Sequence, residues 1–223
     1  MGFDGFGPDL VGFYEGLEAD NSREYFTAHK AIYDDQVAAP LRALGAALAP
    51  HFGDVKVFRP YRDLRFTPDR SPYKTAAALV CPGGYLSVSA DGLFIGDGLY
   101  DATTDQSRRL RAAAADERTG PALTRVMHAL NGDGWTVDGT RLKRIPKPWD
   151  DSHPRADLLR LKTMVGSRMY PPGDWLGSAA VLDRVSDGWR ALAPLGRWLT
   201  RHVGPPEKPR PAPGQRSRVA TRP

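Results

Sequence analysis

Through the first fifty residues apolar side chains return every three or four positions, the spacing of an amphipathic helix rather than a strand. Behind Pro8, which suits a first helical turn, Leu10, Phe13, Tyr14 and Leu17 fall on one face. Asn21 or Ser22 can cap a second helix, on which Tyr25, Phe26, His29, Ile32 and Tyr33 form an apolar-aromatic stripe. His29 on that stripe reads as a packed histidine rather than a ligand. Pro40 opens or kinks a third segment that carries Leu41, Leu44 and Leu48 and is predicted to end near Pro50.

Between residues 55 and 100 the period drops to two and turn residues separate short runs, which predicts a mostly antiparallel sheet. Leu86 and Val88 alternate with Tyr85, Ser87 and Ser89, and Asp91-Gly92 is predicted as a two-residue hairpin turn into Leu93-Phe94-Ile95. Helical spacing returns over 105–115 and 121–130, where Leu123, Val126, Met127 and Leu130 face inward and Asn131-Gly132 is the stop signal. A short strand at 135–137 and an extended Lys/Pro/Trp-rich loop at 142–151 lead to a helix opened by Pro154, carrying Leu158, Leu159 and Lys162. A strand at 164–169 precedes a last long helix marked by Leu182, Val185, Trp189 and Leu192 and continued past Pro194 through Trp198 and Leu199. Strands grouped in the middle with helices on both sides predict an α+β fold: a central, mostly antiparallel sheet with the N-terminal and C-terminal helices packed on it.

No Pro/Gly/Ser-rich linker breaks the first two hundred residues, so residues 1–204 are predicted to form one domain. Residues 205–223 hold six prolines and few large apolar groups, too little to repay the entropy of ordering, and are predicted to be a disordered Pro/Arg-rich tail. That division changes the meaning of the charge. The net charge is +5, but the tail holds five basic residues and one acid, which leaves 26 basic against 25 acidic residues in the body. A near-neutral body disfavours a nucleic-acid partner, because tracking phosphates requires a basic face on the fold itself.

With 41% hydrophobic residues the 223-residue chain can bury a core without a disulfide or metal staple. Its single cysteine, Cys81, reads as a small buried apolar residue. His29, His51, His128, His153 and His202 never fall in a H-x-x-x-H or H-E-x-x-H pattern, so no metal site is expected. The glycines of 92–98 make neither G-x-G-x-x-G nor a Walker loop, and no serine stands in G-x-S-x-G. No cofactor is expected and acyl transfer is unsupported. Without an apolar run of roughly 18 residues or a basic-then-apolar leader, the expectation is a cytoplasmic protein with no membrane partner.

Charge is densest from Phe58 to Lys74: Phe58-Arg59-Pro60-Tyr61-Arg62-Asp63-Leu64-Arg65-Phe66-Thr67-Pro68-Asp69-Arg70-Ser71-Pro72-Tyr73-Lys74. If extended, this segment sets Arg59, Tyr61, Asp63 and Arg65 on one face and Phe58, Leu64 and Phe66 on the other. The run resembles the pattern F-R-x-x-R-D-x-R-F-x-x-D-K/R-S-P-Y-K of the family called domain of unknown function 2461. Further blocks carry the same resemblance: Asn21 to His29 with Tyr33 and Pro40, Gly84-Tyr85, Gly96 to Leu99, Leu142-Lys143-Arg144 before Pro146, His153-Pro154, and Lys162. Together they run from Gly5 to Leu199. Tyr25 stands where the family more often has Trp, and Pro60 where a residue with a backbone donor is usual, which suggests an edge strand or a bulge. The resemblance implies a fold and a set of residues but no reaction.

Guanidinium forks and ammonium groups recognise phosphate or carboxylate oxygens. Arg59, Arg62, Asp63, Arg65, Tyr73 and Lys74 are therefore candidate residues for a small anionic ligand, with Lys143 and Arg144 of the second basic run, beside Arg141 and Lys147, closing the pocket from the other side. Tyr61 or Trp149 would stack on a ring of the ligand. His153 is either an acid/base group at a helix start or a helix cap. Asp63 is the better candidate base, since Asp69 before Arg70-Ser71-Pro72 is ordinary turn chemistry. Two carboxylates among many cations do not suit two-metal chemistry. A second reading makes the same charges an internal ion-pair scaffold in a non-catalytic protein, and a third makes the tail an aid to weak nucleic-acid binding. Whether the protein is an enzyme is left open by these residues.

Overall fold

A computed structural model of the chain describes residues 2–64 and 70–208. Helix α1 spans Leu10–Ala19 and buries Leu10, Phe13, Tyr14 and Leu17, the face given by their spacing. Helix α2, Arg23–Ala28, starts at Ser22, whose hydroxyl accepts the Tyr25 N–H at 3.1 Å. Removing that cap by Ser22→Ala is expected to cost about 1 kcal/mol, read as a lower urea midpoint at unchanged m-value. Of the predicted stripe only Phe26 and Tyr33 are buried. His29 is half-buried, stacked on Tyr25 with ring centres 4.1 Å apart.

After the short α3, Lys30–Ile32, the backbone loosens into a π segment, Tyr33–Ala38, before α4, Ala39–Phe52. Pro40 has no N–H to offer the carbonyl of Gln36 four residues back. That carbonyl instead accepts the N–H of Gly7 at 3.0 Å, and the Gln36 side chain clasps Asp9 through its backbone N–H and its carboxylate, both at 2.8 Å. The proline thus frees the acceptor that pins the N-terminal segment. Helix α4 runs two residues beyond the predicted stop at Pro50, because the chain leaves the helix at Gly53, whose φ of 91° glycine adopts without strain.

Strands β1 (Lys56–Val57), β2 (Ala76–Cys81), β3 (Gly84–Ser89), β4 (Gly92–Leu99), β5 (Thr136–Asp138) and β6 (Met164–Tyr170) form one antiparallel sheet in the order β1-β2-β3-β4-β6-β5. The hairpin turn falls one residue earlier than the sequence suggested. Ser89 pairs with Gly92, so Ala90-Asp91 form the loop and Gly92 enters β4 with φ of 104°. Both edge strands are short, and Pro60 follows β1, as expected for an edge.

Leu79, Leu86, Val88, Leu93 and Ile95 are fully buried on one face of the sheet, against α1, α4 and α8 (Ala180–His202). Tyr85, Ser87, Ser89 and Phe94 alternate with them and lie half-buried on the other. Helix α8 buries Val181, Val185, Trp189, Leu192, Leu195 and Leu199, continues through Pro194, and lies between the sheet and α5 (Thr104–Ala115) and α6 (Gly120–Gly132). A capping box of Thr103 and Gln106 starts α5. Gly134, with φ of 81°, turns the chain from α6 into β5, two residues after the predicted Asn131-Gly132 stop. Pro154 precedes a single helical turn, α7 (Ala156–Leu159), and Arg155 closes the far end of α5 by donating to the Ala114 and Ala115 carbonyls at 2.6 and 2.8 Å.

The α+β architecture with its antiparallel sheet and flanking helices is as the sequence predicts. Residues 204–207 lie along α5, with the Glu207 N–H donating to Asp105 at 2.9 Å and the Gly204 carbonyl accepting from Gln106 at 2.9 Å. The remainder of the expected tail, 209–223, falls outside the described residues. Among the described residues no helix is long and apolar enough to cross a membrane, and no group of three or more His, Cys, Asp or Glu is placed to hold a metal ion.

Candidate functional site

The first basic run leaves the sheet at Phe58, whose N–H donates to Ala78 at 2.9 Å. Beyond it the pairing with the returning chain is irregular. Lys74 N–H reaches the Pro60 carbonyl at 2.8 Å, Arg62 N–H reaches Pro72 at 2.9 Å, and Tyr61 bridges to Tyr73. The continuous extended face proposed for Arg59, Tyr61, Asp63 and Arg65 is therefore interrupted: Pro60 cannot donate to a ladder, and Leu64 already stands in a tight helical turn. Arg65, with Phe66 and Asp69, lies outside the described residues.

A hollow of about 330 Å³ opens at this edge, on the sheet face opposite the main core, lined by Phe58, Arg62, Lys74, Thr75 and Tyr85 with the small side chains Ala76 and Ala78 as floor. Phe58 and Tyr85 stand 6.4 Å apart, and Tyr85 meets Phe94 edge-on at 6.0 Å, so an aromatic row extends across the strands. The ammonium groups of Lys56 and Lys74 lie 5.6 and 5.1 Å from the Phe58 ring centre. Lys74 also donates to the Arg59 carbonyl at 2.9 Å. Burial, and then the positive charges of Arg59 and Lys56, push the Lys74 ammonium below the usual lysine range.

Among the described residues no carboxylate lies within salt-bridge distance of Lys56, Arg59 or Lys74. Arg62 and Asp63 each have an interaction partner. Tyr73 is 5% exposed, stacked on Phe26 at 4.0 Å with rings nearly parallel, and tied by its N–H and carbonyl to the Asn21 side chain at 3.0 and 3.1 Å. It supports the hollow from within the core instead of touching a ligand.

The second basic run lies elsewhere. Arg141 bridges to Leu161 and Leu142 donates to Arg160, extending the β5–β6 ladder past Met164. From β1 to β5 is five inter-strand steps, roughly 24 Å at ~4.8 Å each, and the run leaves from the opposite end of the strands as well. Lys143 and Arg144 are exposed at that far corner and do not close the hollow. The Lys143 carbonyl accepts from Arg160, which is ion-paired with Asp151. His153 Nδ1 accepts the Arg155 N–H at 3.1 Å in the turn before α7, whose N-cap is Arg155 itself. Trp149 packs half-buried beside this loop, and Tyr61, 49% exposed, leans on Tyr73 at 5.3 Å.

A larger cleft, about 1060 Å³, runs along α8 between Phe52, the β2–β3 turn and the end of β4. At its wall stands Asp97, a residue the sequence reading passed over. Its Oδ1 accepts the N–H of Gly98 at 2.8 Å, and burial raises its carboxyl above the usual carboxylate range. The signal for it was available: Leu93, Ile95, Asp97 and Leu99 share one strand phase, so the carboxylate occupies an apolar position.

The chain is thus an α+β protein built on one antiparallel sheet, with a cationic-aromatic hollow at one sheet edge and an apolar cleft beneath its last helix. It belongs to the family described as conserved hypothetical protein (DUF2461), which it matches over residues 9–198. No curated protein and no solved structure matches it.

Proposed function

We propose that the protein binds a small phosphate- or carboxylate-bearing ligand in the hollow formed by Phe58, Arg62, Lys74, Thr75 and Tyr85. The observation that carries this reading is the set of three cations, Lys56, Arg59 and Lys74, gathered at an aromatic hollow with no carboxylate partner among the described residues. Like charges held together without a counter-ion are relieved by an arriving anion, and the Phe58 and Tyr85 rings offer faces to an apolar or cyclic portion. Lys143, Arg144 and His153, placed at the far corner, have no part in this version of the site.

Inorganic phosphate, adenosine monophosphate and citrate are the probes. At least one is expected to raise the wild-type Tm in a concentration-dependent way, and the rise is expected to vanish in Lys74→Gln and Arg59→Gln. Absence of any shift in the wild type across the three anions counts against the reading. The competing view, a non-catalytic scaffold of internal ion pairs, draws on the engaged state of Arg62 and Asp63 and the core position of Tyr73. It expects Arg62→Gln to lower Tm whether or not an anion is present.

A further inference from the structure

The cleft beneath α8 is a second site, separate from the anion hollow. Its walls are mostly apolar: Phe52, Leu99, Trp189 and Trp198 line it, and Gly196 of α8 faces the end of β4. A Cβ at Gly196 would stand 2.7 Å from Asp97 Oδ2, so glycine there leaves room for the carboxylate under the helix. Oδ1 is held by the Gly98 N–H, but Oδ2 has no donor, and no lysine, arginine or histidine nitrogen lies within salt-bridge distance of it among the described residues. Gly166, opposite Asp97 on β6, supplies no side chain to cover it.

Asp97 is half-buried, and its Oδ2, open to the otherwise apolar cleft, is a charged acceptor that an incoming donor can pair with. The chain supplies no partner, and the described residues supply no second and third ligand for a metal. The group best matched to one carboxylate oxygen, in a cleft large enough for a whole organic molecule, is an ammonium on an apolar body. Arg197 and Arg201 line the cleft and are exposed to solvent, beside an Arg190 that is ion-paired with Asp187 at 3.0 Å, so an acidic group at the ligand's outer end would meet positive charge.

We infer that this cleft binds a primary aliphatic amine, its nitrogen paired with Asp97 and its chain lying between Leu99 and the two tryptophans, with preference for an amine that carries an acid at its far end. Three probes of one length separate the parts of the inference: hexylamine, hexanoate and ε-aminocaproate. Trp189 and Trp198 report occupancy by fluorescence and Tm reports it independently. Hexylamine and ε-aminocaproate are expected to change both signals, ε-aminocaproate at the lower concentration, and hexanoate to change neither. Asp97→Asn is expected to weaken amine binding at least tenfold while its own folding is kept, as checked by its unliganded Tm. The inference is overturned if neither amine binds the wild type, if hexanoate binds as tightly as hexylamine, or if Asp97→Asn keeps the wild-type affinity. Lys74→Gln leaves the amine response unchanged, so failure at one site is not failure at the other.

Discussion

Replacing Trp189 by alanine is expected to destabilise the protein by about 3–5 kcal/mol, the range for deleting a large aromatic from a packed core. For a chain of this size that corresponds to a fall in Tm of roughly 6–20 °C. The residue is 1% exposed, sets its ring edge-on to Phe52 at 5.1 Å, and donates its indole N–H to the Tyr85 carbonyl at 3.3 Å. It is the point at which α8, the end of α4 and strand β3 meet. The backbone is shaped to receive it: Gly84 lies under the ring with φ of 149°, and a Cβ there would stand 2.4 Å from the indole nitrogen. Trp189→Phe keeps most of the contact with Phe52 but leaves the Tyr85 carbonyl without its donor, so a smaller loss is expected. Urea denaturation of both variants gives the comparison; a cost below about 1 kcal/mol for the alanine variant would mean that the ring does not hold these elements together.

The second large effect is a gain. Asp97→Asn is expected to stabilise the protein by about 1 kcal/mol at neutral pH, the lower end of the cost of an unsatisfied polar group because the carboxylate is half-buried. Burial holds the folded-state pKa of Asp97 above that of the unfolded chain. The folded state therefore favours the protonated form. Below the unfolded pKa the carboxyl is neutral in both states and carries no penalty. As pH rises from there through the folded pKa, ionisation takes stability away, and the full loss is present above it. Asparagine does not titrate, so the two proteins should converge in Tm at acid pH and diverge towards neutrality, the variant being the more stable. Arg190, Arg197 and His202 also line the cleft, so the comparison is made as a difference between variant and wild type at each pH. A constant difference from acid to neutral pH would assign the change to packing instead of charge.

Much of the architecture could be read from spacing because the determinants are local. Leu10, Phe13, Tyr14 and Leu17 face inward because one helix turns 100° per residue, and Leu86 and Val88 because a strand alternates. Local chemistry also explains the misplaced boundaries. Pro50 suggests an end to α4, whereas a proline disturbs only the turn before it and the change to positive φ at Gly53 ends the helix. The hairpin shifted by one residue because Gly92 serves as the first residue of β4 and not as part of the loop.

The site was legible in one half. Arg59, Arg62 and Lys74 lie close in sequence on two antiparallel stretches, so proximity along the chain became proximity in space. Lys143 and Arg144 were joined to them by charge alone, and charge similarity says nothing about strand order. Their place depends on β6 inserting between β4 and β5, and its pairing with β4 joins residues 65 to 77 positions apart, which no local pattern records. Asp97 was passed over for the opposite reason: its position was clear in the strand phase, but a single carboxylate becomes notable only when the cleft above it is seen.

The two short border strands bear on how the protein behaves when crowded. A long, flat border with unpaired amides is a template on which another copy can zip, the route by which sheets grow into fibres. Here β1 offers two residues before Pro60 interrupts the donors, and β5 offers three before Gly139, beyond which the pairing continues only irregularly through the Arg141–Leu161 bridge. On the β1 border Lys56 adds repulsion between copies, while on the β5 border Asp138 is paired with Arg141 at 2.8 Å. Concentrated solutions of the protein are thereby guarded against edge-to-edge polymerisation by the geometry of the sheet itself.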